Sequence, residues 1–138
     1  MSELLDRLRR RGWRLTAQRR VIAEVLAGEH VHLSADEVLA RARRRLPEMS
    51  KATVYNTLNE LVTMGEVLEV TGGACPRRYD PNATEPHQHL LCDLCGQLRD
   101  VVPSGQDVLA LSSDQRYGYE LSHAEIIFHG LCPRCQGA

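Results

Sequence analysis

Residues 50–67 read "SKATVYNTLNELVTMGEV", a helix written out with both of its ends. Ser50 stands at the start as a capping residue, and Val54, Leu58, Leu61 and Val62 recur at helical spacing before Gly65. The same rotation carries Ala52, Asn56 and Asn59 away from that apolar stripe, with Tyr55 at its edge. A small residue, two amides and a phenol suit close approach to base edges in a major groove, and equally a plain surface helix.

The flanks bear on that choice. Upstream, "SADEVLARARRRLP" opens with a capping box, Ser34 with Glu37, and repeats Ala35, Val38, Leu39, Ala42 and Leu46 on one face. Further back, "TAQRRVIAEVLAG" starts at Thr16, carries Ile22, Val25 and Leu26, and stops at Gly28. Three short amphipathic helices result, the last two with the spacing of a helix-turn-helix. Downstream, "EVLEV", "TGGACP" and "RRYD" give a strand, a glycine turn and a second strand, the wing of a winged helix. Arg77 and Arg78 lie there, suited to phosphates.

Charge divides along the chain in the same sense. Residues 1–60 hold twelve Lys/Arg against eight Asp/Glu, a balance of +4, and residues 61–138 hold five against ten, a balance of −5. A basic first half fits a polyanionic partner for that half; solvated helix faces are the alternative. The composition, 43% hydrophobic and 25% charged over 138 residues, is that of one ordinary domain or two small ones. No apolar run approaches a membrane span and the first residues lack a signal-peptide core, so a cytoplasmic location is expected. In that compartment paired cysteines point to metal more than to disulfides.

Cys92-x-x-Cys95 and Cys132-x-x-Cys135 are two such pairs, the pincers of a tetrahedral zinc site. The 36 residues between Cys95 and Cys132 exceed the gap of a compact zinc ribbon, so the fold must bring the pairs together. A redox dithiol is the competing reading. Between the halves, "HLLC" and "QLRDV" read as strands joined by a knuckle. With Asp93 and Leu94 as its turn, His89 faces Leu98 and His87 faces Asp100. His87, His89 and Asp100 then share one side while Cys92 and Cys95 point to the other, so the stretch serves two metal sites. A lone His-x-His is more often a surface pattern; the acid opposite it favours a ligand set.

Taken together, "RLTAQR", "HLSADEV", "SKATVYNTLNELVTMGEV", "RRYD", "HQHLLCDLCG" and "GLCPRC" resemble the ferric uptake regulator (Fur) family of metal-dependent repressors. The resemblance spans essentially the whole chain. It implies an α+β fold: an N-terminal winged helix-turn-helix over residues 1–80 and a small α/β dimerisation domain with a four-cysteine zinc site over 81–138. It implies a homodimer on palindromic double-stranded operator DNA, with no membrane partner, no small organic substrate and no enzymatic activity. Cys92, Cys95, Cys132 and Cys135 match the family's structural Zn(II). His32, Asp80, His87, His89 and Asp100 match its regulatory site, which takes Fe(II) or Mn(II). Arg14 and Tyr55 match positions that touch DNA, joining Ala52, Asn56, Asn59, Arg77 and Arg78 as candidates. The "SADE" after His32 favours it over His30.

Aspartate rather than glutamate at position 100 is similar to the peroxide-responsive branch, which includes regulators of catalase genes. There bound Fe(II) reacts with hydrogen peroxide and oxidises ligand histidines, here matching His32 and His87. Control of iron or zinc uptake is the alternative within the family. Three features depart from its pattern: the interval "PNATEP" after Asp80, the odd thiol Cys75, and a segment from Pro103 to Asp114 short for the dimerisation helix.

Overall fold

Leu4, Leu5 and Leu8 fall on one side of an amphipathic turn, with Glu3 and Asp6 early and Arg7, Arg9 and Arg10 late. That arrangement complements the helix dipole, and Glu3–Arg10 forms a helix, α1, beyond the three expected. Its end is a Schellman motif: Trp13 N donates to Leu8 O at 3.1 Å and Gly12 N to Arg9 O at 3.0 Å. Gly12 takes φ +73°, a left-handed value that favours glycine.

The structure, a computed structural model, describes residues 3–27, 32–71, 76–82, 87–105 and 110–137. The wing turn with Cys75, together with His30, lies outside them. The chain divides into two compact units, Met1–Glu85 and Pro86–Ala138.

In the first unit α2 spans Ala17–Leu26, capped by Thr16 Oγ1 accepting from Arg19 N. A two-residue strand, β1 (Leu33–Ser34), leads into α3 (Ala35–Arg43). There the reciprocal capping box of Ser34 and Glu37 is present. Ser50 caps α4 (Lys51–Thr63), which ends like α1, with Gly65 at φ +77° and Glu66 N donating to Leu61 O at 3.0 Å. β2 (Leu68–Val70) and β3 (Arg78–Asp80) follow, in an antiparallel sheet of order β1-β3-β2. The core joins Leu4, Leu8, Ile22, Leu26, Val38, Val54, Leu58, Leu61 and Tyr79, so every helix contributes its apolar stripe.

The second unit is a three-stranded sheet of β4 (Gln88–Cys92), β5 (Leu98–Val101) and β6 (Ile127–Gly130), in the order β5-β4-β6. β4 runs antiparallel to β5 and parallel to β6. The one α-helix among its described residues is α5 (Pro133–Gln136), and Ser113–Gln115 forms a 3₁₀ turn.

The register of β4 on β5 departs from expectation. His89 pairs with Asp100 and Leu91 with Leu98, two residues away from the expected pairing. The knuckle is longer than a two-residue turn: Cys92 N donates to Gln97 O and Gly96 N to Cys92 O, both at 2.9 Å. Gly96, at φ +77°, closes it. Because strand faces alternate with period two, a two-residue shift leaves every side chain on its expected face.

Candidate metal centres and DNA-binding face

The four cysteines are assembled by strand pairing. β6 lies parallel to β4 with Cys92 opposite Gly130, so the chain leaving β6 delivers Cys132 and Cys135 beside the first pincer. This accounts for the long gap. Pro133 opens α5 with Cys132 as its N-cap residue, and Cys135 N donates to Cys132 O at 3.0 Å. All four Sγ atoms lie within 4.8 Å of one another, with Cys95 Sγ and Cys132 Sγ 3.8 Å apart. Tetrahedral bonds of ~2.3 Å to zinc separate neighbouring sulfurs by roughly 3.8 Å. The donor set therefore fits zinc, and a convergence of four thiols is not an isolated dithiol.

Their acidities describe a nest for a cation. Backbone N–H donors, first that of Cys95 and then that of Cys132, bring the Cys92 thiol down to about 6. Cys132 is lowered too, first by the backbone of Cys135. The neighbouring Cys132 sulfur and then burial push Cys135 up to about 12. Backbone donors thus favour the thiolate at Cys92 and Cys132, whereas the neighbouring sulfurs disfavour it at Cys135.

Imidazoles and carboxylates meet within each unit separately. In the first, His32 immediately precedes β1 and Asp80 ends β3, with His32 Nε2 3.4 Å from Asp80 Oδ2. Asp80 is buried, and its Oδ1 accepts from Asn82 N at 2.9 Å. In the second, Asp100 Oδ1 lies 3.4 Å from Nε2 of both His87 and His89. The two rings meet edge to face, their centroids 4.9 Å apart. Two imidazoles and a carboxylate brought together by the β4–β5 pairing form a donor set for a divalent transition metal.

On α4 the division into faces is clear. Val54, Thr57, Leu58 and Leu61 are buried, whereas Ala52, Tyr55, Asn56 and Asn59 are exposed. Lys51 Nζ stands 5.7 Å over the Tyr55 ring. Arg14 is exposed, in the loop before α2. The wing arginines differ from each other. Arg77 is exposed and pairs with Glu69 at 2.6 Å, whereas Arg78 turns inward, its Nη1 donating to His32 O at 3.2 Å.

Three polar groupings escaped the sequence reading. Glu66, buried, receives Arg7 Nε at 2.6 Å and Arg11 Nη1 at 3.0 Å. Arg19 Nη2 meets both carboxylate oxygens of Glu60, at 3.2 and 3.0 Å. Asp93 Oδ1, in the knuckle, lies 2.8 Å from His129 Nδ1 on β6. All three join residues far apart in the chain, which no local pattern reveals.

Known proteins agree with this architecture. The profile of the ferric uptake regulator family matches residues 10–135. The peroxide operon regulator of Bacillus subtilis (strain 168) is 33% identical over 135 residues, covering 98% of this chain and 92% of its own. Among solved structures, the Campylobacter jejuni peroxide stress regulator superposes with a TM-score of 0.69 at 28% identity, over 96% of this chain and 99% of that one. The Helicobacter pylori ferric uptake regulator Fur has the same fold, with a TM-score of 0.75 at 24% identity over 96% of this chain and 91% of that one. The chain belongs to the ferric uptake regulator family.

Proposed function

We propose that the protein is a metal-dependent transcriptional repressor that leaves operator DNA when peroxide oxidises its own metal-ligating histidines. The observation that carries this reading is Asp100, a short carboxylate 3.4 Å from Nε2 of both His87 and His89. Likeness to the peroxide operon regulator of Bacillus subtilis supports the same branch.

Zn(II) in the four-cysteine site is structural on this reading. The regulatory set is His32 and Asp80 from the first unit with His87, His89 and Asp100 from the second, an assignment that rests on the family resemblance. Ligands drawn from both units make one relative orientation of those units depend on metal occupancy. In a homodimer on palindromic DNA that orientation sets the spacing of the two α4 helices against half-sites about 34 Å apart. Shifting such an equilibrium from 1:99 to 99:1 requires about 5.5 kcal/mol of differential affinity. Fe(II), when bound, would supply the one-electron chemistry by which hydrogen peroxide places an oxygen atom on His32 or His87. Loss of a histidine's donor nitrogen removes part of the ligand set and with it the DNA-competent orientation.

The test is DNA binding with Fe(II), Mn(II) or Zn(II), with and without hydrogen peroxide, read beside mass spectrometry of the His32 and His87 peptides. Peroxide should release the iron form and add one oxygen to one of those peptides, leaving the manganese form bound and unmodified. Asp100→Glu keeps the charge and adds a methylene, so the variant should still bind DNA with metal yet lose much of the peroxide response. An iron form that stays on DNA with intact histidines would move the assignment to control of metal uptake.

A further inference from the structure

One polar cluster of the first unit belongs to neither metal site. Arg19, in the first turn of α2, joins two segments, α4 and the loop before α2, with one guanidinium. Nη2 meets both carboxylate oxygens of Glu60 on α4, at 3.2 and 3.0 Å. Nη1 donates to the backbone carbonyl of Arg14 at 3.0 Å. The guanidinium carbon stands 4.4 Å over the centroid of the Trp13 ring. Its backbone N also donates to Thr16 Oγ1 at 3.2 Å, so the same residue completes the cap of α2.

The loop between α1 and α2 is thereby anchored at both ends. Its start is fixed by the Schellman ending at Gly12 and by Arg11 Nη1 donating to Met64 O at 2.8 Å. Its far end is held by Arg19. Across a groove of about 710 Å³, Trp13 faces Asn56, Asn59 and Thr63 of α4. Asn56 and Asn59 are among the candidates for base contacts, and Arg14 is an exposed residue of the loop opposite. Arg19 therefore ties the loop that carries Arg14 to the helix that carries Asn56 and Asn59.

We propose that Arg19 is a positioning residue for operator recognition, setting Arg14 against α4 through the Arg14 backbone, the Trp13 ring and Glu60. The proposal rests on the repressor reading above and adds a second point of control to it, apart from the metal. The chemistry needs arginine. A planar fork can meet a carboxylate with one edge and a carbonyl with the other while its face stacks on an indole. Lysine at 19 keeps the charge and loses both the fork and the stacking.

The experiment is a double-mutant cycle on the full-length, metal-loaded protein: Arg14→Ala, Arg19→Lys and the two combined. The probe is a duplex that the wild-type protein selects from random-sequence DNA. Trp13 is the only tryptophan in the chain, so its emission reports on the stacked guanidinium in each variant. Arg19→Lys should shift that emission and weaken binding about tenfold, on the order of 1.4 kcal/mol. In the Arg14→Ala background the same change should weaken binding less than about twofold, because the contact it positions is gone. A purely structural arginine would instead lower the unfolding temperature and give additive losses, which overturns the proposal. Should Arg14→Ala alone leave binding unchanged, the Arg14 contact and this proposal fall together while the repressor reading stands. Failure of the metal-loaded protein to select any duplex sinks the repressor reading itself and the proposal with it.

Discussion

The two units are held together by different means. Among its described residues the first gathers seventeen buried side chains into one cluster fed by four helices and two strands. Among the described residues of the second, the buried apolar side chains are Leu91, Cys92 and Leu98. Exposure is the mirror image: among the described residues, nine of the ten large exposed apolar side chains belong to the second unit and one, Tyr55, to the first. At ~25 cal/mol per Å² of buried apolar surface, three side chains cannot offset the ordering of some fifty residues. The second unit is therefore stabilised from outside its own core, by metal on the cysteines and, in the proposed homodimer, by a second copy over residues such as Tyr117, Tyr119 and Leu121. On the proposed function, the DNA-reading surface stands on a closed core, and the second unit depends on bonds to metal.

The largest effect tests this contrast directly. Zinc-binding peptides gain ~10–16 kcal/mol from the metal, more than a unit of this size has otherwise. Cys95→Ser should therefore strip hydrogen-exchange protection from β4, β5 and β6 and leave the protein monomeric, while α1 to α4 stay protected. Protected strands in a zinc-free Cys95→Ser protein would break the comparison.

Next in size is the reverse experiment. Leu58→Ala removes a fully buried side chain at the centre of the first core and should lower that unit's stability by ~2–5 kcal/mol. Zinc content should remain near one per chain. If zinc is lost along with the first unit, the two units do not fold independently and the division drawn here is too sharp.

The contrast also governs how much was legible in the sequence. α2, α3 and α4 were readable because apolar periodicity and caps at Thr16, Ser34 and Ser50 are local signals. α1 carried the same signals in Leu4, Leu5 and Leu8, obscured by a dense alternation of charge around them. β1 and β6 were not readable, since a two-residue strand has no period and β6 is defined by its parallel partner. The convergence of the cysteine pairs followed from coordination chemistry. The β4–β5 register did not, because the length of the knuckle is set by Gly96 and not by the cysteine spacing. For Arg77 and Arg78, identical in type, only the tertiary contact with the His32 carbonyl separates the inward residue from the exposed one.

A smaller effect belongs to the first unit's margin. Burial alone would raise the pKa of Glu66, but hydrogen bonds and charge from Arg7 and Arg11 outweigh it and hold the carboxyl below the usual glutamate value. A group lowered in the folded state contributes stability that is present above its unfolded pKa and lost as pH falls through the folded one. The first unit should thus weaken progressively below about pH 4.5, the unperturbed value. Glu66→Gln should cost ~1–3 kcal/mol at neutral pH, since one of Arg7 and Arg11 loses its acceptor and both lose the carboxylate charge. The variant should also flatten that acidic decline, as followed by helical circular dichroism. An unchanged acid limb would place the sensitivity elsewhere.

The smallest effect concerns Asp93 and His129, which link the knuckle to β6 at 2.8 Å beside the four cysteines. Position suggests importance, because the pair joins the strands that carry the two pincers. Exposure argues the other way: the side chains are 55% and 43% exposed, and solvent screens them. Exposed pairs contribute ~0.2–1 kcal/mol, so His129→Ala should speed zinc loss to a chelator by less than about fivefold. The strand pairing that delivers Cys132 also survives the change, since Asp93 N donates to the Gly130 carbonyl at 2.9 Å without any side chain. Chelator competition followed by a zinc-sensitive dye reads the rate directly, and the same substitution should leave the first unit's unfolding unchanged. A loss many times faster would mean that the second unit relies on side-chain ties as well as on metal, and would narrow its difference from the first.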